Sequence, residues 1–307
     1  MNKLSKSDRA WPVPSRPWVM KMNWHDLLFM HYRVDPLQLR SLIPQPLEID
    51  TFDGSAWLGI VPFRMTGVAP RFVPSVPGLS NFPELNVRTY VTHNGKPGVW
   101  FFSLEATNPL AVRFARTMFH LPYMDARINF KACCQTTNGT WIKYHSKRTH
   151  RGTPPAELKC EYRPIGAPYH AEPNSLASFL TARYCLYCAN KHGRVYRGEI
   201  DHDPWTLRDA QAIVTRNTMT EGIGIRLPDE KPVLHYAQKI RAIAWTIKPI
   251  ECGRLESASK PEVTSKKALV QDDSSTFSDM RDPAPVGRFR NDHARRGTNA
   301  SNQFGAE

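Results

Sequence analysis

Polar and apolar positions alternate along most of the chain. From Trp18 onward Val19, Lys21, Asn23 and His25 alternate with Met20, Met22, Trp24 and Asp26, and an apolar run, Leu27–Val34, follows. A period of two places successive side chains on opposite faces, so this stretch predicts one long strand with a bulge near Asp26. Asp35-Pro36 then predicts a short helix through Leu42, with Asp35 capping it and Pro36 at its first position. Leu47–Phe52, the Asp53-Gly54 turn and Ala56–Met65 predict a hairpin, in which Pro62 marks a bulge or an edge. Residues 66–80 are rich in Gly and Pro and predict a long loop of the kind that often serves as a lid.

The second third repeats the theme. Glu84–Thr92, a turn at His93–Lys96 and Gly98–Glu105 predict another hairpin. Asn108-Pro109 opens a predicted helix through Phe119, with Leu110, Phe114 and Met118 on one stripe and Arg113 and Arg116 off it. Leu121-Pro122-Tyr123 breaks that helix. Asp125–Cys134 and Trp141–Arg148 predict a hairpin turning at Asn138-Gly139, followed by a short strand, Leu158–Arg163. Asn174 caps what reads as the longest helix, Ser175–His192, whose apolar face is Leu176, Phe179, Leu180, Tyr184, Tyr187 and Cys188. Val195–Ile200, Ala210–Thr215 and Val233–Ile247 predict late strands, with a short helix at Asn217–Gly224. About ten strands and two substantial helices describe a mainly β (α+β), largely antiparallel domain that curls into a barrel or splits into a sandwich.

Composition sharpens the boundaries. Of 307 residues, 41% are hydrophobic, with 8 Trp, 14 Phe and 10 Tyr, enough for a substantial core. From residue 251 onward Trp and Tyr vanish and only three Phe remain. Such a segment cannot bury enough apolar surface to offset its ordering, so 251–307 is expected to be a disordered tail. Residues 1–17, polar and Pro-punctuated, are expected to form a flexible arm, which leaves 18–250 as the globular domain. The net charge of +13 lies in residues 1–250, where 32 basic face 19 acidic residues. That excess suits an acidic ligand or a solvated basic surface, and no nucleic-acid motif accompanies it. The N-terminus lacks the apolar core of a signal peptide and no stretch approaches a membrane span. Six cysteines in a chain this long suit a reducing cytoplasm. Cys185-x-x-Cys188 has redox or zinc spacing but no second pair, and reads as buried packing.

The chemistry concentrates on one strand. On an ideal pleat Glu84, Asn86, Arg88 and Tyr90 share one face, with Leu85, Val87 and Thr89 on the other. Such a polar face either lines a cavity or meets water. Arg88 is the candidate clamp for a carboxylate or phosphate. Tyr123 either donates a hydrogen bond to a substrate oxygen or packs. Arg33 and Arg64 are strand arginines that could cross into the pocket, His25 could shuttle a proton, and Arg183 could reach a carboxylate such as Glu84 or Glu105. No metal site, nucleophile elbow, P-loop or dinucleotide motif is present, and no cofactor is called for.

The motifs WHDLLFMHYRV, DPLQLRSLIPQPLEIDTFDGSAWLGIVPFRM, PELNVRTYV and LPYMDARI, then LTARYCLY, HDPW and LHYA, resemble in order the YqjF-like, or DUF2071, family. The resemblance spans residues 18–249. That family is similar to the acetoacetate decarboxylase-like superfamily, which implies a closed or cone-shaped antiparallel β-barrel flanked by helices, with a buried pocket. It also implies a reaction class in which a lysine forms a Schiff base with a keto acid, a strand glutamate assists and an arginine holds the carboxylate. Glu84 matches the acidic position. The turn expected to carry the lysines reads Pro122-Tyr123-Met124 here, so an imine mechanism is not expected. Two readings follow. One is an enzyme acting on a small oxo- or carboxylate-bearing molecule, with Glu84 and Tyr123 catalytic and Asn86, Arg88, Tyr90, Arg33, Arg64, His25 and Arg183 binding. The other is a small-molecule-binding protein that keeps the cavity without the chemistry. Either is compatible with a homo-oligomer.

Overall fold

The bulge at Asp26 decides which way the longest strands face. The computed structural model of the protein describes residues 9–76, 78–136 and 139–251, without the side chains of 134–136 and 139. Strand β1 (Met20–Val34) pairs with β3 (Ala56–Pro70), and their register shifts between His25 and Met30. Asp26 sits in that gap with φ of 55°, a left-handed conformation that Asp tolerates better than most residues. Three side chains hold it. Tyr162 donates to its carbonyl at 2.7 Å, Tyr236 donates to Oδ1 at 2.8 Å and Arg64 reaches Oδ2 at 3.4 Å. Before the bulge the even residues Met20, Met22 and Trp24 face one interior; after it the odd residues Leu27 and Phe29 do. Pro62, which cannot donate to a ladder, lies opposite the same interruption.

The remaining elements follow in order: α1 (Pro36–Arg40), β2 (Glu48–Ile49), β4 (Phe82–His93), β5 (Lys96–Ala106), α2 (Pro109–Phe119), β6 (Tyr123–Thr136), β7 (Gly139–Arg148) and β8 (Glu157–Tyr169). Then come α3 (Leu176–Thr181), β9 (Cys185–Ala189), β10 (Val195–His202), β11 (Leu207–Asn217), β12 (Val233–Ala244) and β13 (Lys248–Pro249). The strands form one mostly antiparallel sheet that closes on itself twice. One circuit runs β5-β6-β7-β8-β11-β12-β1-β3-β4 and back to β5. The other runs β10-β9-β5-β4-β3-β1-β12 and back to β10. β12, β1, β3, β4 and β5 belong to both, and each circuit encloses its own apolar core. Leu28, Met30, Leu85, Val87 and Tyr144 belong to one; Phe29, Phe63, Tyr90, Phe101 and Trp205 belong to the other. The expected β-rich, ring-like architecture is what forms.

Two expectations, the long helix and the N-terminal arm, need correction. The predicted helix over 175–192 is six residues long, Leu176–Thr181, capped by Ser175, whose hydroxyl accepts from the Ser178 amide. The segment after it becomes β9, which pairs antiparallel with β10 and parallel with β5. A continued helix would leave the backbone edges of both neighbours unpaired, so tertiary pairing overrides the helical spacing. On α2 the stripe Leu110, Phe114 and Met118 is exposed, while Val112 is buried. Residues 9–17, expected to be part of a flexible arm, are tied to the domain: Arg9 donates to the Ile200 carbonyl at 2.7 Å, and Trp245 donates to the Arg16 carbonyl at 2.7 Å. Residues 1–8, Asn138 of the expected turn and the expected disordered tail from residue 252 lie outside the described residues.

The approach of β9 to β5 is tight at Gly98, just before their parallel pairing begins. A Cβ at Gly98 would lie 2.7 Å from Cys185 Sγ and 2.8 Å from the Cys185 carbonyl oxygen. Backbone cannot yield there without opening the β5–β9 pairing. Gly98→Ala is therefore expected to destabilise the domain by about 1–3 kcal/mol through overpacking, seen as a lower urea midpoint. An unchanged midpoint would show that the two strands can part.

Candidate active site

The sheet face that carries Glu84, Asn86 and Arg88 forms one wall of a cavity of about 190 Å³. Opposite and around it stand Trp24, Phe29, Phe63, Phe101 and Trp205, and α2 closes one side with Ala111, Phe114 and Ala115. The strand alternation of β4 thus lines a cavity rather than meeting water. The polar groups of β4, joined by Tyr123, Thr181, Arg183, Glu199 and His202, stand among largely apolar walls, which is the pattern of a small-molecule site.

Glu84 is 2% exposed and is held from two sides. Tyr123, at the start of β6, donates its hydroxyl to Glu84 Oε2 at 3.0 Å. Tyr144 donates to the Glu84 backbone carbonyl at 2.7 Å. Burial pushes the Glu84 carboxyl up to about 8; the Tyr123 bond pulls the other way and the Glu105 carboxylate adds to the rise. At neutral pH the carboxyl is therefore mostly protonated and can donate a proton. Burial and the adjacent Glu84 carboxyl push the Tyr123 phenol well above its usual range, so it stays a hydrogen-bond donor.

Arg88 lies on the same wall four residues along. Its Nη2 makes a long contact of 3.4 Å with the Leu180 carbonyl, and its guanidinium lies 5.5 Å from the Phe29 ring centroid. Arg88 makes no ion pair among the described residues, and its buried Nε has no hydrogen-bond partner there. The Asn86 amide oxygen between Glu84 and Arg88 is also buried without a partner. Unsatisfied buried groups of this kind are costly, and a bound polar ligand would relieve them.

The other expected site residues divide. Arg183 lines the cavity, but it pairs with Asp50 rather than with Glu84 or Glu105, and its Nε donates to the Phe179 carbonyl at 2.7 Å. Tyr90 is fully buried behind the wall, donating to the Leu180 carbonyl at 2.8 Å and bonded to His31 Nε2 at 2.7 Å. Arg33, Arg64 and His25 are not among the residues lining the cavity. Arg64 and His25 fall on the opposite face from their neighbours Phe63 and Trp24, so they pair with Asp26 and with Thr66 Oγ1. Arg33 sits at the exposed end of β1, over the Trp57 ring. The residues missed from sequence include an imidazole at the end of β10 and an aromatic group in the turn after it. His202 and Trp205 both line the cavity. His202 stacks on Tyr184 with ring centroids 4.7 Å apart, and burial pulls its pKa down to about 4, so it is neutral.

Glu105, one strand over, is fully buried and receives Arg148 Nε at 3.0 Å. Cys185 and Cys188 sit on β9, not a helix; both thiols are buried, free and pushed up to about 12, which makes them unreactive. No group of three His, Cys, Asp or Glu side chains that could hold a metal ion occurs among the described residues, and none of their helices is long and apolar enough to cross a membrane.

Comparisons with known proteins agree with this architecture. "Uncharacterized protein YqjF" of Bacillus subtilis (strain 168) is 45% identical over 236 residues, covering 77% of this chain and 94% of that protein. Among solved structures, the enduracididine biosynthesis enzyme MppR with HEPES bound superposes with a TM-score of 0.56 at 12% identity, over 78% of this chain and 90% of that one. An acetoacetate decarboxylase-like enzyme from Sphingomonas wittichii RW1 superposes with a TM-score of 0.52 at 11% identity, over 80% of this chain and 99% of that one. At these identities the structural likeness establishes the fold, that of acetoacetate decarboxylase-like enzymes. The model of the DUF2071 family, described as an uncharacterized conserved protein, matches residues 21–241, and with the identity to YqjF this makes the chain a member of that family.

Proposed function

We propose that the cavity binds a small oxo- or carboxylate-bearing molecule and that Glu84 acts on it as a general acid and base. The observation that carries this reading is the buried Glu84–Tyr123 pair on the wall of a largely apolar cavity. A carboxyl held protonated near neutrality is matched to proton transfer. Glu84 would donate its proton to the carbonyl oxygen of the ligand as negative charge develops there. The Tyr123 hydroxyl already points at Oε2, so it stabilises the carboxylate left behind. Glu84 can then take a proton from the carbon next to that carbonyl or from the product hydroxyl, and returns to its starting state. Arg88 would hold the anionic group. No lysine lines the cavity, which supports chemistry without an imine. MppR has been described in complex with pyruvate, so this fold accommodates an oxo acid in at least one protein.

The test is a turnover screen of oxo acids, from pyruvate to 7-oxooctanoate, with the wild type and Glu84→Gln. The variant should bind any substrate found while losing about 10²–10⁴-fold in turnover. The wild-type rate should fall as pH rises through about 8, where the acid form is lost. A protein that binds these acids and turns none over would leave the cavity a binding site and end the catalytic reading.

A further inference from the structure

Resting on the reading of Arg88 as the anion clamp, we propose that the ligand is an amphipathic acid. Its apolar body has the bulk of an aromatic ring or a chain of about six to eight carbons, larger than that of a two- to four-carbon keto acid. Three observations support this. The first is volume. An apolar cavity of about 150 Å³ holds a benzene molecule, and this one measures about 190 Å³. Rings make up much of its wall: Trp24 and Trp205 stack with centroids 6.0 Å apart and Phe29 meets Trp205 edge-on at 5.2 Å.

The second is spacing. Glu84 and Arg88 are four residues apart on β4, roughly 13 Å along the strand. Arg88 does not lean back toward Glu84. Its guanidinium reaches the Leu180 carbonyl, the same oxygen that Tyr90, two residues further on, also contacts. A three-carbon acid, with bonds of about 1.5 Å, cannot touch both ends at once. A ligand anchored at Arg88 and reacting at Glu84 needs an apolar segment between its two polar groups.

The third is the approach. Phe114 lines the cavity and belongs to the exposed stripe Leu110, Phe114 and Met118 on the outside of α2. Phe114 therefore joins the cavity to an apolar outer surface, which suits entry of an apolar body better than of a small hydrated anion.

Trp24 and Trp205 provide the readout. Quenching of tryptophan fluorescence would be titrated with pyruvate, 3-oxobutanoate, 5-oxohexanoate and 7-oxooctanoate, whose carbonyl and carboxylate are set progressively further apart, with 2-octanone as the uncharged match. Affinity should rise about fourfold per methylene from four to eight carbons, the equivalent of ~0.8 kcal/mol for each buried CH₂. Arg88→Met should weaken every acid by about 10–100-fold and leave 2-octanone unchanged. Pyruvate binding as tightly as 7-oxooctanoate, with both weakened by Arg88→Met, would overturn the size inference and leave the anion clamp standing. Acids unaffected by Arg88→Met would overturn both, as would no binding of any acid. Should Arg88→Met fail to fold, the wild-type chain-length series decides the size, and Arg88→Lys, expected to keep acid binding within about tenfold, decides the clamp.

Discussion

Replacing Arg148 with methionine is expected to cost the domain about 3–5 kcal/mol at pH 8, the largest loss from any single charge removal considered for this fold. Glu105 is fully buried on β5 and depends on Arg148 for two kinds of support. The guanidinium supplies the opposite charge, and with Ser103 it fills the carboxylate's hydrogen-bonding positions. Burial alone pushes the Glu105 carboxyl up, and Arg148 pulls it back. Without Arg148 the folded state must either keep an uncompensated buried anion or take up a proton. The second route is open at low pH and closes as pH rises, because the unfolded chain releases that proton near its ordinary carboxylate range. The deficit of the variant should therefore be small near pH 4.5 and widen toward pH 8. Urea unfolding at the two pH values measures it. Arg148→Met with Glu105→Leu should recover most of the loss, since a buried pair exchanged for apolar groups is often neutral. A deficit that does not change with pH, or one the double variant fails to recover, would show that Arg148 acts through packing alone.

Removing the charge at Glu84 should have the opposite sign. Its carboxyl rises from an ordinary 4.5 to about 8 in the folded chain. Between those values the folded chain holds a proton that the unfolded chain has released. Folding stability is then lost as pH rises, by about 1.4 kcal/mol per pH unit and on the order of 5 kcal/mol across the window. Glu84→Gln cannot titrate, so its stability relative to the wild type should climb from pH 4.5 and level off above pH 8. His31 and His202, whose pKa values burial lowers, work the other way in both proteins: the stability they carry is lost as pH falls below the ordinary imidazole range. The comparison must therefore be the difference between the two proteins at each pH. A difference that stays constant from pH 4.5 to 9 would mean that Glu84 is an ordinary carboxylate, and the proton-donor role would fall with it.

The sequence made the polar face of β4 legible because a strand's period leaves no freedom once its direction is known. Glu84, Asn86 and Arg88 line the cavity together for that reason. The pairing of Glu84 with Tyr123 was half visible, as two residues expected at one site whose contact no spacing could give. What spacing could not supply was the effect of a single residue. Asp26 turns over the faces of β1, so His25 and Phe29, four apart, look into different interiors. Arg64 is lost to the cavity by the same pleat that brings Phe63 into it. The mistaken long helix has a different cause. Leu176, Phe179, Leu180, Tyr184, Tyr187 and Cys188 do repeat at helical spacing, but the backbone of 185–189 is claimed by the following strand β10 on one side and by β5, distant in sequence, on the other. Helical spacing also puts Leu110, Phe114 and Met118 on one stripe, as the structure does, but it could not tell that this stripe is the exposed one and that α2 turns Val112 inward.

The strand at the centre of the site is a wall between two rooms. Because β4 belongs to both circuits of the sheet, Glu84, Asn86 and Arg88 look into the cavity while Leu85 and Val87 look into the second core. An ordinary sheet strand keeps an outer face on which mutation is cheap and a lineage can drift. This strand has no such side. New chemistry in this protein could enter by changing the residues of one room, but only within a backbone position that the other room already dictates. A carboxyl and a guanidinium are thus carried on the part of the molecule least able to wander, which fixes their spacing more firmly than any direct contact between them could.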